Sequence, residues 1–94
     1  MYSLQIPVTQ IHSLRSSLVF LDLSEMDFDR IPNHAFHGLY SLETLLLNNL
    51  AFLTKIEAMA FHDLKHLGTL ECQNNRYLAY IDPFAFFNNN MEEA

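Results

Sequence analysis

Cysteine, glycine and basic residues are scarce in this sequence, and each shortage removes a class of function. A single cysteine in 94 residues excludes an internal disulfide and a cysteine-based zinc site. Two glycines leave no Gly-rich loop to cradle a phosphate. Lys and Arg number 5 against 11 Asp and Glu, a formal net charge of −6, so the cationic field that a nucleic-acid backbone requires is missing. Apolar runs such as Leu45-Leu46-Leu47 fall far short of the roughly 20 residues that cross a bilayer, so membrane insertion by this segment is not expected. Met1-Tyr2-Ser3-Leu4 has neither the basic start nor the apolar stretch of a signal peptide. Half the residues are hydrophobic and only 17% are charged, which favours a folded chain, and the length suits one small domain.

What the sequence does contain is a repeat. Leu18-Val19-Phe20-Leu21-Asp22-Leu23, Leu42-Glu43-Thr44-Leu45-Leu46-Leu47 and Leu67-Gly68-Thr69-Leu70-Glu71-Cys72 align at offsets of 24 and 25. Ile31, Ile56 and Ile81 follow at intervals of 25, as do Ala35, Ala60 and Ala85, and Phe36, Phe61 and Phe86. Seven Ala and eight Phe in 94 residues predict about 0.6 Ala-Phe pairs by chance, whereas four occur and three keep the common spacing. Gln5-Ile6-Pro7 through Leu14 matches Arg30-Ile31-Pro32 through Leu39, so the chain is read as starting inside a unit. The expected division is a partial repeat at 1–17, repeats at 18–41, 42–66 and 67–87, and a polar tail at 88–94.

In each unit the last three positions of Leu-x-x-Leu-x-Leu alternate with period 2, so two Leu side chains share one face of a short strand. One unit cannot bury its apolar residues alone. Units stacked side by side close a common core, with parallel strands on one wall and an aromatic column of Phe36, Phe61 and Phe86 on the other. A helical reading competes: Leu39, Leu42, Leu46, Leu50 and Leu53 step by three and four, as do Ile56, Ala60, Leu64 and Leu67. A helical bundle leaves the recurrence of Ile-x-x-x-Ala-Phe at 25 unexplained.

Leu42-x-x-Leu45-x-Leu47, Leu53, Ile56, Ala60-Phe61 and Leu64, with their equivalents on each side, resemble the leucine-rich repeat family in its animal extracellular type of about 24 residues. The resemblance implies an α/β solenoid: a right-handed coil with short parallel strands on the concave side and loops or short helical turns on the convex side. It also implies a protein ligand bound on the concave sheet, and a segment of a longer array at the cell surface or outside the cell. The family's turn asparagine falls on Met26, Leu50 and Asn75, so only the third unit keeps it.

Residues between the core Leu positions face outward on that sheet. They give a candidate protein-binding face of Phe20, Asp22, Ser24, Glu25, Thr44, Leu46, Asn48, Thr69, Glu71 and Gln73, with Asn49 and Asn74 beside it. Apolar Phe20 and Leu46 among carboxylates suit an interface with an apolar centre and a polar rim. The alternative is that these units are spacers in a larger structure and touch no ligand.

The remaining chemistry is sparse. His62 and His66 are four apart, as in a helical metal pair, and His34 and His37 three apart, but neither pair has a third ligand. Glu25, Asp27 and Asp29 cluster in a turn, where solvent keeps carboxylates ordinary. Cys72 replaces a core Leu and reads as a small buried hydrophobe. No nucleophile–base arrangement and no cofactor-binding pattern is present, so the expected role is non-catalytic.

Overall fold

The computed structural model of the chain describes residues 17–87. The partial repeat expected at 1–17, its last residue apart, and the tail expected at 88–94 lie outside the described residues.

Among the described residues, six short strands follow one another. They are β1 (Phe20–Asp22), β2 (Arg30–Ile31), β3 (Thr44–Leu46), β4 (Lys55–Ile56), β5 (Thr69–Glu71) and β6 (Tyr80–Ile81). Odd-numbered strands form one three-stranded parallel sheet in the order β1-β3-β5, and even-numbered strands form a second in the order β2-β4-β6. Pairing follows the repeat: Leu21 lies against Leu45 and Leu45 against Leu70, while Ile31 lies against Ile56 and Ile56 against Ile81. One strand from each sheet makes a layer, and three layers stack. We call the odd-numbered sheet the front and the even-numbered sheet the back.

The reason for this arrangement is burial. Leu45, Leu47, Leu50, Leu53 and Ile56 of the middle layer are all buried, because the layers on both sides cover them. Phe36 and Phe61 stack with ring centroids 5.9 Å apart, and Phe61 and Phe86 with centroids 4.7 Å apart. The expected aromatic column is therefore present, in the offset geometry that favours ring contacts. Between strands the backbone continues the ladders: Leu23 N–H donates to Leu46 O, Leu47 N–H to Glu71 O, and Asn49 N–H to Gln73 O.

The expected α/β solenoid is overturned. No helix occurs among the described residues, and the wall expected to carry loops or helical turns carries the second parallel sheet. The stretch from Glu57 to Leu67, whose apolar spacing suits a helix, is broken by Met59 and Asp63, both at positive φ (59° and 66°). Its backbone groups pair with the neighbouring layer instead, as Met59 N–H does with Phe84 O and Phe61 N–H with Ala85 O. Nor is the body an extended coil. Strands about 4.8 Å apart put the first and third layers only ~10 Å from each other, less than the width of a layer. The Cα radius of gyration is 12.3 Å and the extents are 33 × 29 × 19 Å. A compact globule of this length has a radius near 12.4 Å by the usual scaling, about 2.2·N^0.38 Å. The described residues form a small globule of two three-stranded parallel sheets.

Candidate protein-binding face

The front sheet sets three outward positions side by side. Phe20, Thr44 and Thr69 form one row, and Asp22, Leu46 and Glu71 the next. Pleating turns Leu21, Leu45 and Leu70 inward and leaves these rows outward, since successive side chains alternate across a strand. Phe20 is 56% exposed and Val19, just before it, 45% exposed. Leu46 is half-buried among its neighbours.

A third row, in the turns after the strands, is tied together by hydrogen bonds. Asn48 N–H donates to Ser24 Oγ at 2.9 Å, and Gln73 N–H donates to Asn48 Oδ1 at 2.8 Å. Asn48 Nδ2 in turn donates to Glu71 Oε1 at 3.0 Å. The side chain of one layer thus satisfies the backbone of the next. These bonds tie the turns of the three layers to one another, because a backbone donor in one turn needs an acceptor that its own layer does not supply. Glu25, Asn49 and Asn74 occupy the turn's left-handed position with φ of 66°, 57° and 59°. Asn49 therefore serves as a turn residue and does not replace the missing asparagine of its layer.

All ten residues expected on the face lie on β1, β3, β5 or the turns that follow them. Asp22, Glu25, Thr69, Glu71 and Gln73 are exposed, whereas Ser24, Thr44 and Asn48 are half-buried. Asp22 is held below the ordinary aspartate range by hydrogen bonds from Ser24, the side chain contributing more than the backbone. Ser24 N–H donates to Asp22 Oδ1 at 2.9 Å. The front carboxylates differ from those on the back. Arg30 lies 3.4 Å from Glu57 and 3.7 Å from Asp29, and Lys65 lies 3.6 Å from Asp63. Asp22, Glu25 and Glu71 face outward on a sheet whose strands carry no Lys or Arg.

The turn asparagine of the third layer works as its position suggests. Asn75 Oδ1 accepts from Leu50 N–H at 2.8 Å, and its Nδ2 donates to Leu47 O at 2.9 Å. In the other layers the equivalent slots hold Leu50, which is buried, and Met26, which packs against the core. Cys72 is half-buried and not fully buried as expected, because among the described residues no further layer covers the third. Burial pushes its thiol above the ordinary range, with a smaller opposing effect from the Asn75 hydrogen bond.

The histidines are structural neighbours. His34 and His62 stack with centroids 5.2 Å apart, and His62 Nδ1 lies 2.9 Å from Phe87 O. Among the described residues, no three His, Cys, Asp or Glu side chains converge as a metal site. Val19 was absent from the expected face. So was a second set of exposed aromatics, Tyr80, Phe84 and Phe87, on the outer side of the third layer. Reading the repeat across its columns, Arg30–Lys55–Tyr80 and His37–His62–Phe87, was the signal that marks them. Compared with known proteins, the chain matches no family model and no curated protein.

Proposed function

We propose that the chain is a non-catalytic protein-binding module that presents its front sheet to a protein partner. The observation that carries this reading is Phe20, a large aromatic 56% exposed on a hydrogen-bonded strand. Rigid aromatic anchors beside a polar rim are the residues that dominate protein interfaces. Val19 and Leu46 extend the apolar centre, and Asp22, Glu25 and Glu71 supply an acidic rim without cations on the strands. A partner with a basic rim around an apolar pocket is complementary to it. The 25-residue spacing supports kinship with extracellular leucine-rich repeat proteins, and so a partner outside the cell.

The experiment compares capture of proteins from conditioned medium by the native chain and by a Phe20→Ser/Leu46→Ser double variant. Both positions lie outside the core, so the variant is expected to melt close to the native temperature. Proteins held by the native chain should be lost by the variant. Equal capture by the two would contradict the proposal.

A further inference from the structure

The front-sheet reading leaves the histidines without a role. Five occur in the chain, and His12, His37 and His62 follow one another at intervals of 25, in one column of the repeat. His12 lies outside the described residues. His34 meets this column from the side. Its backbone N–H donates to Met59 O of the next layer, and its ring stacks on His62 with centroids 5.2 Å apart and planes 26° apart. The two rings come from different layers, His34 from the first and His62 from the second. The pair that helical spacing suggests, His62 and His66, sits on no helix, so a separation of four residues does not align its rings.

The His62 ring is also oriented. Its Nδ1 lies 2.9 Å from Phe87 O, and a carbonyl oxygen only accepts, so Nδ1 carries the proton. The lone pair of the neutral ring is therefore on Nε2, which makes no hydrogen bond among the described residues. An imidazole whose second nitrogen donates to a backbone carbonyl is the usual form of a metal ligand, because that bond fixes both tautomer and ring direction. His34 is exposed, and among the described residues no hydrogen bond restrains its ring, so the ring can turn. Two nitrogens on one ion, each bonded at about 2.0–2.1 Å, lie no more than ~4.2 Å apart. Rings 5.2 Å apart at their centres reach that separation by a modest tilt of His34 alone.

We propose that His34 and His62 hold one copper(II) ion between them, through Nε2 of His62 and a ring nitrogen of His34, and that the ion clamps the first layer to the second. The donor set selects the metal. Protein zinc sites take three or four protein ligands, and among the described residues no third His, Cys, Asp or Glu converges on this pair. Two imidazole nitrogens with water in the remaining positions suit the tetragonal nitrogen and oxygen coordination of copper(II), which is also the first-row divalent ion that such donors bind most tightly. A net charge of −6 favours the approach of a cation. The proposal is independent of the front-sheet reading, because neither histidine lies on that sheet.

Titration calorimetry of the native chain with copper(II) tests it. The expected result is saturable binding that includes one ion at this pair, with the ring protons of His34 and His62 the first to broaden in the proton spectrum. His34→Ala should weaken that binding at least tenfold. His62→Phe, which puts in the second layer the residue that Phe87 supplies to the third, keeps a stacking ring, removes the nitrogen and should weaken it as much. His37, with its ring 6.0 Å from that of His34 in the same turn, and His66 are the rival partners. His37→Ala and His66→Ala should therefore bind like the native chain. Because the ion joins two layers, saturation should raise the melting temperature of the native chain and leave that of His34→Ala unchanged. Circular dichroism checks that each variant keeps the native spectrum. Absence of saturable binding overturns the proposal. So does binding that survives both His34→Ala and His62→Phe, a loss with His37→Ala or His66→Ala as large as with His34→Ala, or saturation without a rise in melting temperature.

Discussion

Phe61 lies between Phe36 and Phe86 and is buried, so it holds the middle of the aromatic column. Phe61→Ala removes both ring contacts and opens a cavity that the stacked layers cannot collapse. A loss of about 3–5 kcal/mol in urea melts is expected, as for buried Phe in other cores. A loss below ~1 kcal/mol would contradict this placement. Asn75 is the second residue on which much depends. Asn75→Ala leaves Leu50 N–H and Leu47 O without partners in a part-buried turn, at a cost of about 1–3 kcal/mol. Asn75→Asp keeps the acceptor for Leu50 but loses the donors to Leu47 O and Cys72 Sγ and sets a carboxylate oxygen against the Leu47 carbonyl, so it should cost at least as much as Asn75→Ala by the same measurement. Both roles were legible in the sequence, since each residue occupies a slot of the repeat. The half-exposure of Cys72, Ile81 and Phe86 was not. Repeat spacing says which side chains point inward, and carries no information on how much of each layer its neighbours cover.

At the scale of the element, the front strands were readable because Leu-x-Leu alternation is a direct statement of strand geometry. The back strands were not. Arg30-Ile31, Lys55-Ile56 and Tyr80-Ile81 are two residues each, too short for periodicity to register. They exist because the neighbouring layers supply their hydrogen-bond partners, which is a tertiary effect. The same effect displaced the helix suggested by the apolar steps between Ile56 and Leu67. Spacing of three and four also arises when a chain turns repeatedly with its apolar residues inward. The turns after the front strands lead to a prediction of their own. Glu25, Asn49 and Asn74 share a left-handed backbone that costs an ordinary L-residue more than it costs Asn. Glu25→Asn should therefore stabilise the chain, by about 0.5–1 kcal/mol, with a higher urea midpoint and an unchanged slope. An unchanged or lower midpoint would show that Glu25 is held by more than turn geometry.

The whole molecule shows how far a repeat specifies a shape. Residue spacing predicted which strands and rings would meet, and the Leu21–Leu45–Leu70 and Phe36–Phe61–Phe86 columns did meet. It did not predict the architecture, because a short stack with sheets on two walls is a globule and not an elongated coil. Charge is divided between the walls in the same way. The ion pairs of Arg30 and Lys65 sit away from the front, and the front keeps its carboxylates without cations on its strands. That division, together with exposed Phe20, is what supports the proposal that the front sheet receives a partner. All of it rests on three layers sharing one core in register. Nuclear Overhauser spectroscopy of the labelled chain reads that register directly. The predicted spectrum links the strand backbone at Leu21 to that at Leu45 and Leu45 to Leu70, and shows ring contacts from Phe61 to both Phe36 and Phe86. A Phe61 ring without contacts to either phenylalanine, or consecutive amide contacts of a helix from Glu57 to Leu67, would contradict it.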